Sequence, residues 1–130
     1  MANVLASHLV GKKVKSFVIR EHWCGIEIEG GYHLGIETFC RYVGSDGAFI
    51  SIEDHDQQFG LPTPYNAEEA IAKVIVGKAI QKVSIRENTN DIVLHFPEGL
   101  IEVISTSAGY ESYQMKGPDN LIIVGRVGER

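Results

Sequence analysis

The chain has 130 residues, 44% of them hydrophobic and 22% charged, and a formal net charge of −5. That length suits one domain, residues 1–130, burying roughly two thirds of its unfolded surface, and the composition argues against intrinsic disorder. The acidic balance argues against nucleic acid or an anionic membrane as partner, and no apolar run is long enough to span a bilayer.

The start, Met1-Ala2-Asn3-Val4-Leu5-Ala6-Ser7-His8, lacks the basic region and long apolar stretch of a secretory signal, so a cytoplasmic location is expected. In that compartment Cys24 and Cys40 read as free, structural thiols.

From Leu9 onward the chain states one pattern twice. Leu9-Val10-Gly11-Lys12-Lys13-Val14-Lys15-Ser16-Phe17-Val18-Ile19-Arg20-Glu21 returns in register as Ile75-Val76-Gly77-Lys78-Ala79-Ile80-Gln81-Lys82-Val83-Ser84-Ile85-Arg86-Glu87. A second marker repeats in the same order: Gly44-Ser45-Asp46-Gly47 before an apolar run, and Gly117-Pro118-Asp119-Asn120 before another. The expectation is a mainly β fold in which two duplicated antiparallel meander units, 9–53 and 75–126, pack around one core.

Val14, Phe17 and Ile19 are spaced three and then two apart, as are Ile80, Val83 and Ile85, which predicts a bulge or a late strand start at the same place in both copies. Ile26 and Ile28, the Gly30-Gly31 turn, then Leu34 and Ile36 read as a hairpin. A second hairpin runs from Phe39 through Gly44–Gly47 to Glu53. In the other copy Ile92, Leu94 and Phe96 alternate before Pro97-Glu98-Gly99, and a strand from Leu100 to Ile104 returns. Tyr110 to Lys116 then pairs with Leu121 to Val124, with Pro118 expected at the second position of a type I turn.

The connector, 54–74, is different. Its first part is polar and proline-punctuated, hence a loop. Asn66 can cap a short crossover helix, with Glu69 three residues on; Ala70, Ile71, Val74 and Ile75 share one face, and Gly77 stops the turn.

No catalytic signature stands out. Asp54-His55-Asp56 is the densest group of acid-base side chains, but in an extended loop His55 points away from both aspartates, which suits a solvated loop better than a metal. His8, His22, His33 and His95 sit in no nucleophile or zinc motif, and His33 and His95 fall in hairpin strands, where outward positions accept any polar residue. Lys12, Lys13 and Lys15, echoed by Lys78 and Lys82, read as protection of a sheet edge. Trp23, Tyr32, Tyr42, Tyr65, Tyr110 and Tyr113 read mainly as sheet or core residues. The acidic surplus is concentrated in the connector, where Asp54, Asp56, Glu68 and Glu69 face only Lys73. Loops on rigid scaffolds carry function, so the connector is the expected partner site, with Phe59 and Tyr65 as anchors. No catalytic residue, metal or cofactor is expected.

The tail Tyr110-Glu111-Ser112-Tyr113-Gln114-Met115-Lys116-Gly117-Pro118-Asp119 resembles a Y-E-x-W/Y-x-x-x-G-P motif of a family of small bacterial proteins. Leu9 to Val14 and Ile75 to Ile80 fit that family's L-x-G-x-x-V opening, and Pro97-Glu98-Gly99 fits its hairpin. Such proteins are similar to the immunity proteins encoded beside polymorphic toxins, including those of contact-dependent growth inhibition. The resemblance implies a non-enzymatic protein that neutralises a cognate toxin domain by contact, and the acidic charge of the chain suits a basic, nuclease-like toxin. The alternative expectation is a housekeeping domain with a small ligand between the two repeats.

Overall fold

The computed structural model describes residues 2–21, 23–106 and 112–125. In chain order the elements are α1 (Ala2–Leu9), β1 (Val14–Arg20), β2 (Trp23–Ile28), β3 (Tyr32–Ile36), β4 (Phe39–Gly44), β5 (Phe49–Ser51), a 3-10 turn (Ile52–Asp54), α2 (Ala67–Ile75), β6 (Lys82–Ile85), β7 (Ile92–Phe96), β8 (Gly99–Ile104), β9 (Tyr113–Lys116) and β10 (Ile122–Gly125). The strands form two five-stranded antiparallel sheets, ordered β1-β2-β3-β9-β10 and β5-β4-β8-β7-β6. The mainly β, duplicated architecture expected from the sequence is present.

The sheets do not divide the chain at the connector. Each copy supplies a three-stranded meander to one sheet and sends its last hairpin into the other: β9 pairs with β3, and β4 pairs with β8. The register is equivalent on both sides. Ile36 faces Tyr113 and Leu34 faces Met115, as Val103 faces Cys40 and Ile101 faces Tyr42. The helices cross over as well, with α1 against β6 and α2 against β1. Neither copy could close its own core, because its helix and its hairpin lie on its sibling.

The repeated Val-Gly-Lys segment sits at the centre of this exchange. It ends a helix before it starts a strand: Val10 N–H donates to Ala6 O (3.0 Å) and Val76 N–H to Ala72 O (2.9 Å). Gly11 and Gly77 then take φ of 87° and 81°, the left-handed conformation that glycine adopts at a helix C-terminus. The sequence expectation of one short helix is met by α2, and α1 adds a second. Leu5 and Leu9 of α1 are buried at the positions that Ile71 and Ile75 occupy in α2.

The shared spacing irregularity has two forms. In β1 it is a shift in register between Val14 and Ser16; in the second copy β6 begins late, at Lys82, and Ile80 bonds to the other copy instead. The Gly117-to-Asn120 turn differs from the expected type I turn. Asp119 and Asn120 are its central residues, with φ of 59° and 62°, and Leu121 N–H donates to Pro118 O, which is the type I′ pattern. That turn's twist matches the flanking strands, whereas type I would splay them. The expected strand Tyr110 to Lys116 begins at Tyr113; Tyr110 and Glu111, like His22, lie outside the described residues.

The inward faces of both sheets meet in one hydrophobic cluster that also takes in the helices. Ile26, Leu34 and Ile36 come from the first sheet, and Leu94, Ile101 and Val103 from the second, each fully buried. Each such side chain contributes about 1.5–3 kcal/mol of burial. Cys24 on β2 and Cys40 on β4 touch across the two sheets, Sγ to Sγ 3.4 Å, as free thiols. That thiol contact and burial raise the Cys40 pKa well above its usual value, so it stays protonated and is a poor nucleophile. Lys15 on β1 and Lys82 on β6 both lie on edge strands. Among the described residues, no helix is long and apolar enough to cross a membrane.

Candidate functional site: an acidic cleft beside the connector

The connector is shaped by the need to satisfy the exposed amides at the start of α2. Asn66 Oδ1 accepts from Glu69 N–H (2.9 Å), as its capping pattern predicts. His55 supplies the rest: its Nδ1 accepts from Ala67 N–H (3.1 Å) and Glu68 N–H (3.4 Å). A ring nitrogen that accepts carries no proton, so His55 holds its hydrogen on Nε2. Asp54 is also spent locally. The segment expected as strand and extended loop instead coils at Ile52–Asp54, where Ser51 Oγ accepts from Glu53 N–H (3.1 Å) and the Asp54 carboxylate accepts from Ser51 N–H (3.4 Å). His55 therefore turns toward α2 rather than away into solvent.

Beyond this coil the loop is pinched shut. Asp56 N–H donates to Tyr65 O and Tyr65 N–H to Gln57 O, both at 2.8 Å. The residues between form a closed tip on which Phe59 is 63% exposed and Leu61 43%. Asp56, Phe59 and Gly60 all have positive φ, so the backbone itself holds the tip in a defined bend.

An open cleft of about 680 Å³ lies between this connector and the ends of β1, β2 and β3. Glu21, Glu37, Glu53 and Asp56 are on its wall, with Trp23 as an aromatic side 41% exposed. Arg20, the arginine that lines it, is already engaged, and so is His55. Arg20 lies 3.3 Å from Glu68, and His55 turns Nδ1 to the helix while Nε2 lies 3.8 Å from Asp56 Oδ1. The cleft is therefore a concave anionic surface, and low-dielectric walls focus such a field. Among the described residues no three His, Cys, Asp or Glu side chains are grouped to hold a metal ion.

The residues expected at the partner site separate into two groups. Asp56 and Phe59 are displayed, one on the cleft and the other at the loop tip. Glu69 is exposed beside Asn66. Tyr65 is half-buried and pins the loop base. Asp54 and Glu68 are structural: Glu68 Oε2 accepts the Ile19 amide at 2.7 Å and ties α2 to β1. Phe59, Tyr65 and Glu69 do not line the cleft.

No known family model, curated protein or solved structure matches the chain. The motif behind the family resemblance is, where described, a folding motif. Tyr113 and Met115 are wholly buried on β9, and Gly117-Pro118 opens the last turn. On the surface the cleft and the loop tip stand out.

The sequence reading missed Glu21, Trp23, Glu37 and Glu53. These come from three separate corners of the first copy: the β1–β2 turn, the β3–β4 junction and the 3-10 coil. Their one shared signal is an acidic or aromatic residue at each strand end on the side of the connector, which only the topology converts into a cluster.

Proposed function

We propose that this chain is a non-enzymatic immunity protein that acts in the cytoplasm, binding a basic toxin domain and occluding its active site. The observation that supports it is the acidic cleft, whose four carboxylates, Glu21, Glu37, Glu53 and Asp56, gather beside an exposed aromatic. Such a field raises the encounter rate with a cationic protein by about 10- to 1000-fold, and it repels nucleic acid and anionic membranes. Phe59 and Leu61, held out on a closed loop, supply apolar anchors of the kind that dominate interface energies. A nuclease must be cationic to hold its own substrate, so a decoy of carboxylates on a rigid scaffold suits that class of toxin.

The test is co-expression with the toxin domain encoded next to this gene. The two proteins are expected to co-purify, and the host to survive a toxin that otherwise kills it. Survival lost with Phe59→Asp and Asp56→Lys, both folded, supports the assignment to this face. Failure to co-purify, with no protection, contradicts it.

A further inference from the structure

The outer face of the β1-β2-β3-β9-β10 sheet carries a second concavity, built where the two copies join. Its floor is glycine. Gly25 on β2 and Gly35 on β3 are cross-strand partners, and neither has a positive φ, so no turn demands glycine at either position. The duplication provides an internal comparison. The equivalent partners in the other sheet are Val93 and Glu102, and Glu102 is ion-paired there to Arg41 at 2.9 Å and Arg86 at 3.5 Å. Side chains that fill the face in one copy are missing from the other.

The two glycines do different things. A Cβ on Gly25 would lie 2.9 Å from His33 Cε1 and 3.0 Å from Trp23 Cζ3, so its absence lets both rings lean in over β2. A Cβ on Gly35 would meet nothing closer than 3.7 Å, so local contacts do not require glycine; it leaves open floor. Above that floor is a slot of about 210 Å³. Trp23 and His33 stand on one side, Gln114 and Lys116 of the other copy on the opposite side, and Glu37 at one end.

The polar groups are ordered along the slot. Glu27 Oε1 lies 2.7 Å from His33 Nδ1, so the ring donates its Nδ1–H to the carboxylate. In the neutral ring Nε2 is then an acceptor, 3.7 Å from where a Gly35 Cβ would sit. Lys116 is the cross-strand partner of His33, whereas Glu37 lies beyond Gly35 in the opposite direction. One end of the slot is cationic, the other anionic, the wall is aromatic and the floor is flat.

We propose that this slot binds a small planar aromatic carboxylate bearing a ring hydroxyl. The ring lies over Gly35 against Trp23, the hydroxyl donates to His33 Nε2, and the carboxylate points to Lys116, away from Glu37. Stacking supplies apolar contact and the ammonium supplies a charge-assisted bond. The slot shares Trp23 and Glu37 with the acidic cleft, whereas Gly35, His33 and Lys116 line the slot and not the cleft, so variants at these three test the assignment apart from the toxin reading.

Trp23 is the chain's single tryptophan, so its fluorescence reports on the slot, and the Gly35 and Lys116 variants separate that signal from binding in the acidic cleft it also lines. Titration with 4-hydroxybenzoate is expected to give a saturable change. The methyl ester, and the acid with Lys116→Met, should each bind at least about tenfold more weakly. Gly35→Val, with unchanged thermal unfolding, should abolish binding; should it unfold, Gly35→Ala, which meets only ordinary contacts, takes its place. No saturation by about 10 mM, equal affinity for the ester, or binding undiminished in the folded Gly35 variant would overturn the proposal. So would saturation by a methyl glycoside in place of the acid.

Discussion

Gly11 and Gly77 are the paired hinges of the fold: each donates its amide to the other copy, Gly11 to Ile80 O at 2.7 Å and Gly77 to Val14 O at 2.8 Å. The reciprocal bonds complete the set, Ile80 N–H to Lys12 O at 2.9 Å and Val14 N–H to Lys78 O at 3.0 Å. Interchanging the copies leaves the pattern unaltered. This explains why the Val-Gly-Lys motif is identical in the two copies.

Because a Cβ on either glycine would find nothing within 4 Å, alanine there costs only backbone conformation. Gly11→Ala and Gly77→Ala are each expected to destabilise by about 1–2 kcal/mol, measured by urea unfolding. A large loss at one site with none at the other would contradict their equivalence.

Glu68 is expected to be a stability residue. Glu68→Ala leaves the Ile19 amide without its acceptor and should cost about 1–3 kcal/mol, while Glu68→Gln keeps an acceptor and should cost less. Denaturation midpoints of the two variants check this role.

His55 and Asp56 are neighbours with opposite expected phenotypes. His55→Ala removes the acceptor for two amides of α2 and should cost about 1 kcal/mol. Asp56→Asn, which keeps a residue type that tolerates the positive φ of 63°, should stay within about 0.5 kcal/mol while weakening the partner complex. Reversal of this order would overturn the division drawn between them.

The meander strands, both late hairpins and the capped helix were legible in the sequence because each depends on local spacing. Ile26 to Ile36 and Ile92 to Ile104 alternate around turn residues, and Asn66 stands three residues before Glu69. The exchange of hairpins was not legible. Nothing in Tyr113 or Cys40 says which meander it will pair with, since both strands carry the same alternation. The first helix was hidden because Leu5 and Leu9 are too few to set a period. In the candidate site, Asp56 and Phe59 could be found because they stand in a loop. Glu68 misled because its use is long-range, an amide 49 residues away.

Burial, with Lys82 acting in the same direction, lowers the His95 pKa from its ordinary value of 6.5. The unfolded chain therefore binds more protons between the folded value and 6.5, so this contribution is complete above about 6.5 and is lost as pH falls. Thermal unfolding followed across that window should show a decline that His95→Gln reduces. An identical pH profile in the variant would contradict the assignment.

The most direct test of the proposed role is the association rate with the neighbouring toxin domain, followed by stopped flow across ionic strength. The rate is expected to fall about tenfold or more as salt rises, and Glu53→Lys with Asp56→Lys should reproduce that fall at low salt. A rate indifferent to salt, and unchanged in the folded double variant, would show that the acidic cleft does not recruit the partner.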